Sequence, residues 1–249
     1  MSKRHDAIGI KQTIRLEWLE KTVNLLFAGL DGKSIRRELH ALLASCRGDG
    51  SVEERGDTSR SQVVNILMKI WVAPEPELVV FRDAALSMLH ENPAGSLAVH
   101  WALISAAYPF WFNVARQTGR LLNLQDQVTR QQITHRLKEH YGDRQTISRS
   151  SRYVVRSFVA WGVLKDSESR GCYEKTPPQT VPDQDFVILL LEAVLRSMPE
   201  GKGTLNMLLN APSFFPFQFP MLTGDLVARQ NPRIELVRYG LDDELLRLR

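Results

Sequence analysis

The chain has 249 residues, 24% of them charged and 43% apolar, which is ordinary for a soluble globular protein and long enough for one large core or two to three small ones. It carries 32 Lys/Arg against 28 Asp/Glu, a net charge of +4, with only two cysteines, Cys46 and Cys172, far apart in sequence. That cysteine usage excludes a disulfide-rich scaffold and a cysteine-based zinc module, and fits free thiols in a reducing, cytoplasmic setting.

The basic N-terminus lacks the uninterrupted apolar run of a signal peptide. Ile10, Ile14, Trp18, Val23, Leu26 and Phe27 recur at helical spacing and predict a helix from Ala7 to Gly29, broken by Asp31-Gly32. A second helix runs from Lys33 to Ser45. Arg47 to Ser59, with three glycines and no aromatic residue, reads as a mobile loop. A helix from about Arg60 to Val72 follows. Pro76 suits the first turn of the next helix, Glu77 to His90. Asn92-Pro93 then separates off an apolar helix at Ala94 to Ala107, and Pro109 opens another to about Leu124. The apolar run Ser96 to Val114 holds His100, Pro109 and Asn113, so it reads as a buried core helix broken at the proline rather than a membrane span. Residues 1–125 are thus expected to form an all-α bundle.

The positive charge concentrates between Gln127 and Lys175, where ten Lys/Arg face five Asp/Glu. Thr129 and Gln132 have capping-box spacing, so a helix should begin at Arg130, with Ile133 and Leu137 on one face and Gly142 as its stop. A second helix should start near Thr146 or Ser148 and end at Trp161-Gly162. On a wheel of about 100° per residue, Ile147, Ser151, Val154, Phe158 and Trp161 share one arc, and Gln145, Arg149, Arg152, Tyr153 and Arg156 share the opposite one. Val163 to Lys165 and Cys172 to Lys175, joined by a turn, read as a two-stranded wing. Helix, helix and hairpin in residues 126–176 spell a winged helix-turn-helix.

Residues 177–249 read as a helical extension with a terminal β-hairpin. The expected parts are a helix from Asp185 to Met198, a turn at Gly201 to Gly203, and a short helix at Thr204 to Leu209. A Phe-rich extended segment at Pro212 to Met221 and a helix near Leu222 to Gln230 follow. The hairpin pairs Ile234 to Tyr239 with Leu245 to Leu248 around a turn at Gly240 to Asp243. This tail resembles a second, diverged helix-plus-wing unit without a basic helix.

Chemistry points to nucleic acid. Three arginines on one helix can grip phosphates or guanine edges, and Gln145 and Tyr153 add hydrogen bonds. No acid occurs between Arg144 and Lys165, whereas a merely solvated face mixes both signs. The candidate DNA-binding residues are Arg144, Gln145, Arg149, Arg152, Tyr153, Arg156, Lys165 and Arg170, the last two from the wing. No metal-binding, cofactor-binding or catalytic constellation is visible. His135 and His140 are five apart and off one helical face, and GLDGKS at residues 29–34 falls short of a phosphate loop. His100 on its apolar helix reads as a core histidine. Phe214, Phe215, Phe217 and Phe219 read as core filling in preference to a docking patch.

The order of parts resembles the BrxA family, helical accessory proteins of bacterial BREX phage-defence loci. The resemblance covers roughly residues 10–175. It rests on Leu30, Arg36, Arg37 and Glu38, on Arg60, Ile66 and Leu67, on the segment Trp101 to Phe110, and on the V-x-x-F-V-x-W-G-V-L pattern from Val155 to Leu164. It implies a NusB-like helical first domain, a winged-helix second domain, and non-enzymatic double-stranded DNA binding within a multi-protein defence system. A protein-interaction scaffold and an RNA-binding adaptor are the alternative readings.

Overall fold

In a computed structural model that describes residues 4–46, 51, 54–239 and 243–249, the chain is mainly helical with small sheets. Six helices precede the first strand among the described residues: α1 (Leu16–Phe27), α2 (Gly32–Leu42), α3 (Asp57–Leu67), α4 (Val79–Glu91), α5 (Ser96–Ala107) and α6 (Pro109–Leu122). The Asp31 carboxylate caps α2 by accepting from the Ser34 amide at 2.7 Å. α3 runs on through a π-type turn at Met68–Val72. The apolar run splits at Tyr108-Pro109 into α5 and α6, and no helix among the described residues is long and apolar enough to cross a membrane.

The helix expected from Ala7 begins only at Leu16, and residues 7–15 form an extended arm. Tertiary hydrogen bonds override the helical spacing. The Ile14 amide donates to Ser157 Oγ at 2.8 Å, and Trp161 Nε1 donates to the Ile14 carbonyl at 2.9 Å. Gly9, at φ +64°, packs where a Cβ would stand 2.7 Å from the Tyr108 ring. The loop expected over Arg47 to Ser59 gives way to α3 at Asp57, while Arg47 to Gly50, Val52 and Glu53 lie outside the described residues.

The basic segment folds as β1 (Gln127–Thr129), α7 (Arg130–Tyr141), α8 (Gln145–Ala160), β2 (Leu164–Asp166) and β3 (Cys172–Lys175). The capping box forms as its spacing demands: the Gln132 amide donates to Thr129 Oγ1 at 3.1 Å, and the Thr129 amide donates to Gln132 Oε1 at 2.8 Å. The hairpin has a third strand that the sequence reading lacks. β3 is central, flanked by β2 and β1, both antiparallel to it.

The tail comprises β4 (Gln179–Thr180), α9 (Gln184–Ser197), β5 (Lys202–Thr204), α10 (Leu205–Leu209), β6 (Phe217–Gln218), α11 (Gly224–Gln230), β7 (Ile234–Tyr239) and β8 (Asp243–Leu248). β5 takes the place of the expected turn at Gly201 to Gly203, because its backbone pairs with β8. β4 and β6 pair in parallel, and β8 lies between β5 and β7. Of the expected hairpin turn, Gly240 to Asp242 lie outside the described residues. Residues 109–175 and 184–248 share one order: helix, strand, helix, helix, strand, strand, with the last strand central. The tail adds the short β6.

One hydrophobic core runs through all these segments. Trp101 of α5 is its hub. Its ring stacks on Phe158 of α8 at 5.0 Å between centroids and meets Trp111, Trp161, Phe215 and Phe217 edge-on at 5.8–6.0 Å. The Phe-rich segment therefore packs under α8 and α5. Gly119 of α6 permits the approach of that segment, since a Cβ there would stand 1.8 Å from the Pro212 carbonyl oxygen. Glu192 of α9, fully buried, ties the tail together: Arg196 approaches it at 2.7 Å, Arg233 at 2.8 Å and the Asn231 amide at 2.6 Å. Burial opposes its charge, but the hydrogen bond from Arg233 and the charges of Arg196 and Arg233 hold its pKa below the ordinary glutamate value.

Candidate nucleic-acid interface

α8 divides its two faces as the periodicity requires. Ile147, Ser151, Val154, Val155 and Phe158 are buried, while Gln145, Arg149 and Arg152 are exposed and Tyr153 and Arg156 are half-buried. Two buried serines of α8, Ser151 and Ser157, are hydrogen-bonded. Ser157 Oγ donates to the Tyr153 carbonyl at 2.9 Å, and Ser151 Oγ lies 3.1 Å from Thr134 Oγ1, which links α8 to α7.

The eight residues singled out from sequence fall into distinct environments. Gln145, Arg149 and Arg152 form one exposed ridge, with the Arg152 guanidinium 5.5 Å from the centre of the Tyr153 ring. Arg144 stands exposed at the N-cap of α8, and Arg170 lies exposed in the hairpin turn. Among the described residues, Arg144, Arg149, Arg152 and Arg170 form no ion pair. The remaining two cations are held. Arg156 Nη1 lies 2.6 Å and 2.8 Å from the two Asp166 carboxylate oxygens, and Lys165 Nζ lies 2.8 Å from Glu174 Oε2. The hydrogen bond from Lys165 keeps the Glu174 pKa low.

Two concavities flank the ridge. On one side, a groove of about 1070 Å³ runs between α7 and α8, and Arg130, Lys138, Gln145, Arg149 and Arg152 line it. On the other, a cleft of about 690 Å³ separates α8 from the N-terminal arm and the start of α3, with Arg15, Arg55, Arg152 and Arg156 in its walls. Arg152 borders both. Arg130 and Lys138 belong to the basic segment but not to the eight expected interface residues, although their spacing of eight along α7 is readable in the sequence. Arg15 and Arg55 gave no local signal, because only the tertiary fold carries them to α8.

His135 and His140 are exposed on α7. His100 is buried edge-on to Trp71, 5.2 Å between ring centroids, and burial pushes its pKa down to about 3. Among the described residues no cluster of three or more His, Cys, Asp or Glu has the geometry to hold a metal ion. Cys46 and Cys172 are free thiols. No protein-family model, no curated protein and no solved structure matches this chain.

Proposed function

We propose that the chain is a non-catalytic, double-stranded DNA-binding protein built on a winged helix-turn-helix, with α8 as the recognition helix and β2–β3 as the wing. The observation that carries this reading is the exposed ridge Gln145–Arg149–Arg152, whose arginines no carboxylate neutralises among the described residues. The order α6, β1, α7, α8, β2, β3, with β3 central, supports it as well. A helix fits the major groove, about 12 Å wide, and guanidinium groups suit phosphates and guanine edges. The resemblance to the BrxA family supports reading the six-helix bundle as NusB-like. It extends the proposal to an accessory role beside protein partners in a bacterial phage-defence system.

Neutralising about four to six phosphates gives a slope of roughly −4 to −5 for log K against log salt. Fluorescence anisotropy on a labelled duplex measures it. The Arg149→Ala/Arg152→Ala double variant should remain folded, bind at least tenfold more weakly at low salt, and show a slope shallower by about two. Unchanged affinity in that variant removes the proposal. Preferential displacement by single-stranded or duplex RNA would replace DNA by RNA as the ligand.

A further inference from the structure

The geometry points to a second seat for a phosphodiester strand, in the cleft between α8 and the N-terminal arm. This inference rests on the DNA-binding reading of α8 and adds the bundle to the interface. A helix lying in the major groove has a sugar-phosphate backbone on each side. The ridge of α8 has a concavity on each side, and arginines line both. The groove toward α7 belongs to the helix-turn-helix itself. The opposite cleft is completed by residues more than eighty positions upstream of α8.

Among the described residues, four arginines, Arg15, Arg55, Arg152 and Arg156, line this cleft with one acid, Glu54. The Arg55 guanidinium packs over the Trp18 ring, 5.0 Å from its centre, and so forms part of the cleft wall. Arg15 leans on Glu17, with the two side chains 23% and 51% exposed. A pair open to water on its carboxylate side contributes little and can exchange for a phosphate. Arg156 is engaged by Asp166, so Arg15 and Arg152 are the cations offered to the strand. Thr13 and Ser59 add hydroxyl groups. The width of the cleft is set by the two hydrogen bonds that join Ile14 to Ser157 and Trp161, so Arg15 stands at a fixed offset from the ridge. Such preorganisation suits a strand of regular geometry.

Salt-dependent anisotropy on the full-length chain tests this with three variants. Arg15→Ala should weaken duplex binding and flatten the salt slope by about one, as Arg149→Ala does. The wild-type advantage over Arg15→Ala should then shrink about three- to fourfold between roughly 50 mM and 200 mM salt. Glu17→Gln releases Arg15 without removing it, and should leave the slope unchanged or steepen it. A flat response to Arg15→Ala beside a clear response to Arg149→Ala overturns the cleft while the reading of α8 stands. No response to either variant overturns both. If Glu17→Gln weakens binding as much as Arg15→Ala, Arg15 is a structural tie and the cleft proposal falls. The same proposal falls if Arg15 proves necessary for binding a nucleoside triphosphate but not the duplex.

Discussion

One terminal nitrogen of Arg156 sits between both carboxylate oxygens of Asp166, at 2.6 Å and 2.8 Å, and so ties the outer face of α8 to the first strand of the hairpin. Both side chains are about half exposed, so the pair adds less than about 1 kcal/mol to stability. Its larger effect is on charge, because Asp166 silences one of three arginines on the helix. Arg156→Ala is therefore expected to leave the salt slope of duplex binding nearly unchanged, unlike Arg149→Ala. Asp166→Asn should steepen it by about one, since it releases a cation and removes an acid. Anisotropy titrations at several salt concentrations read both effects.

Trp101 joins three segments through five aromatic contacts, so its loss should be felt in all of them. Trp101→Ala is expected to cost about 3–5 kcal/mol. In urea, the midpoint should fall while fluorescence and circular dichroism still report a single transition. Separate transitions for bundle and tail would show that the aromatic hub does not couple them.

Gly119→Ala places a methyl group against the Pro212 backbone, where no flexible side chain can give way. The helix and the Phe-rich segment must then separate, at a cost of about 1–3 kcal/mol. Limited proteolysis should show faster cutting between α10 and α11 than in the wild type, with the helical bundle protected to the same degree.

Two buried groups set the acid limb of stability. His100 titrates near 3 in the folded chain and near 6.5 when unfolded. The unfolded state therefore binds the proton first, and stability is full above about pH 6.5 and falls as the pH drops. The loss should reach roughly 2 kcal/mol by about pH 5. A His100→Phe variant should flatten the stability profile over that interval in urea titrations at stepped pH.

Glu192 acts in the same direction at lower pH. Its folded-state pKa lies below the ordinary value, so its contribution is present above about pH 4.3 and is lost as the pH falls through the folded value. Glu192→Gln leaves Arg196 and Arg233 without their buried counter-charge and should destabilise the chain by about 3–5 kcal/mol at neutral pH. Thermal melts at pH 7 and pH 3.5 should differ less for this variant than for the wild type.

The parts of the basic segment that the sequence announces are those fixed by neighbours in the chain. Thr129 and Gln132 form their reciprocal cap, Gly142 and Gly162 close α7 and α8, and the inner arc of α8 is buried as its spacing requires. β1 escapes notice because three residues carry no periodicity and their partners lie beyond residue 170. The arm was legible only as a misleading helix, since Ile10 and Ile14 are four apart, and distant bonds to α8 decided its form. The candidate site divides along the same line. Arg149 and Arg152 share a helix and were visible, whereas Arg15 reaches them through the fold alone.

The hydrogen bonds from Ile14 to Ser157 and Trp161 join residues 143 and 147 apart in sequence, and the Arg4 guanidinium reaches the Arg196 carbonyl across 192. The arm thus has no place to settle until α8 and α9 have been made. Closing such long loops slows folding, so the arm is expected to dock late, after α8 has formed against α5 and α6. A bulky group attached to the arm would then hinder the final step of folding more than the first.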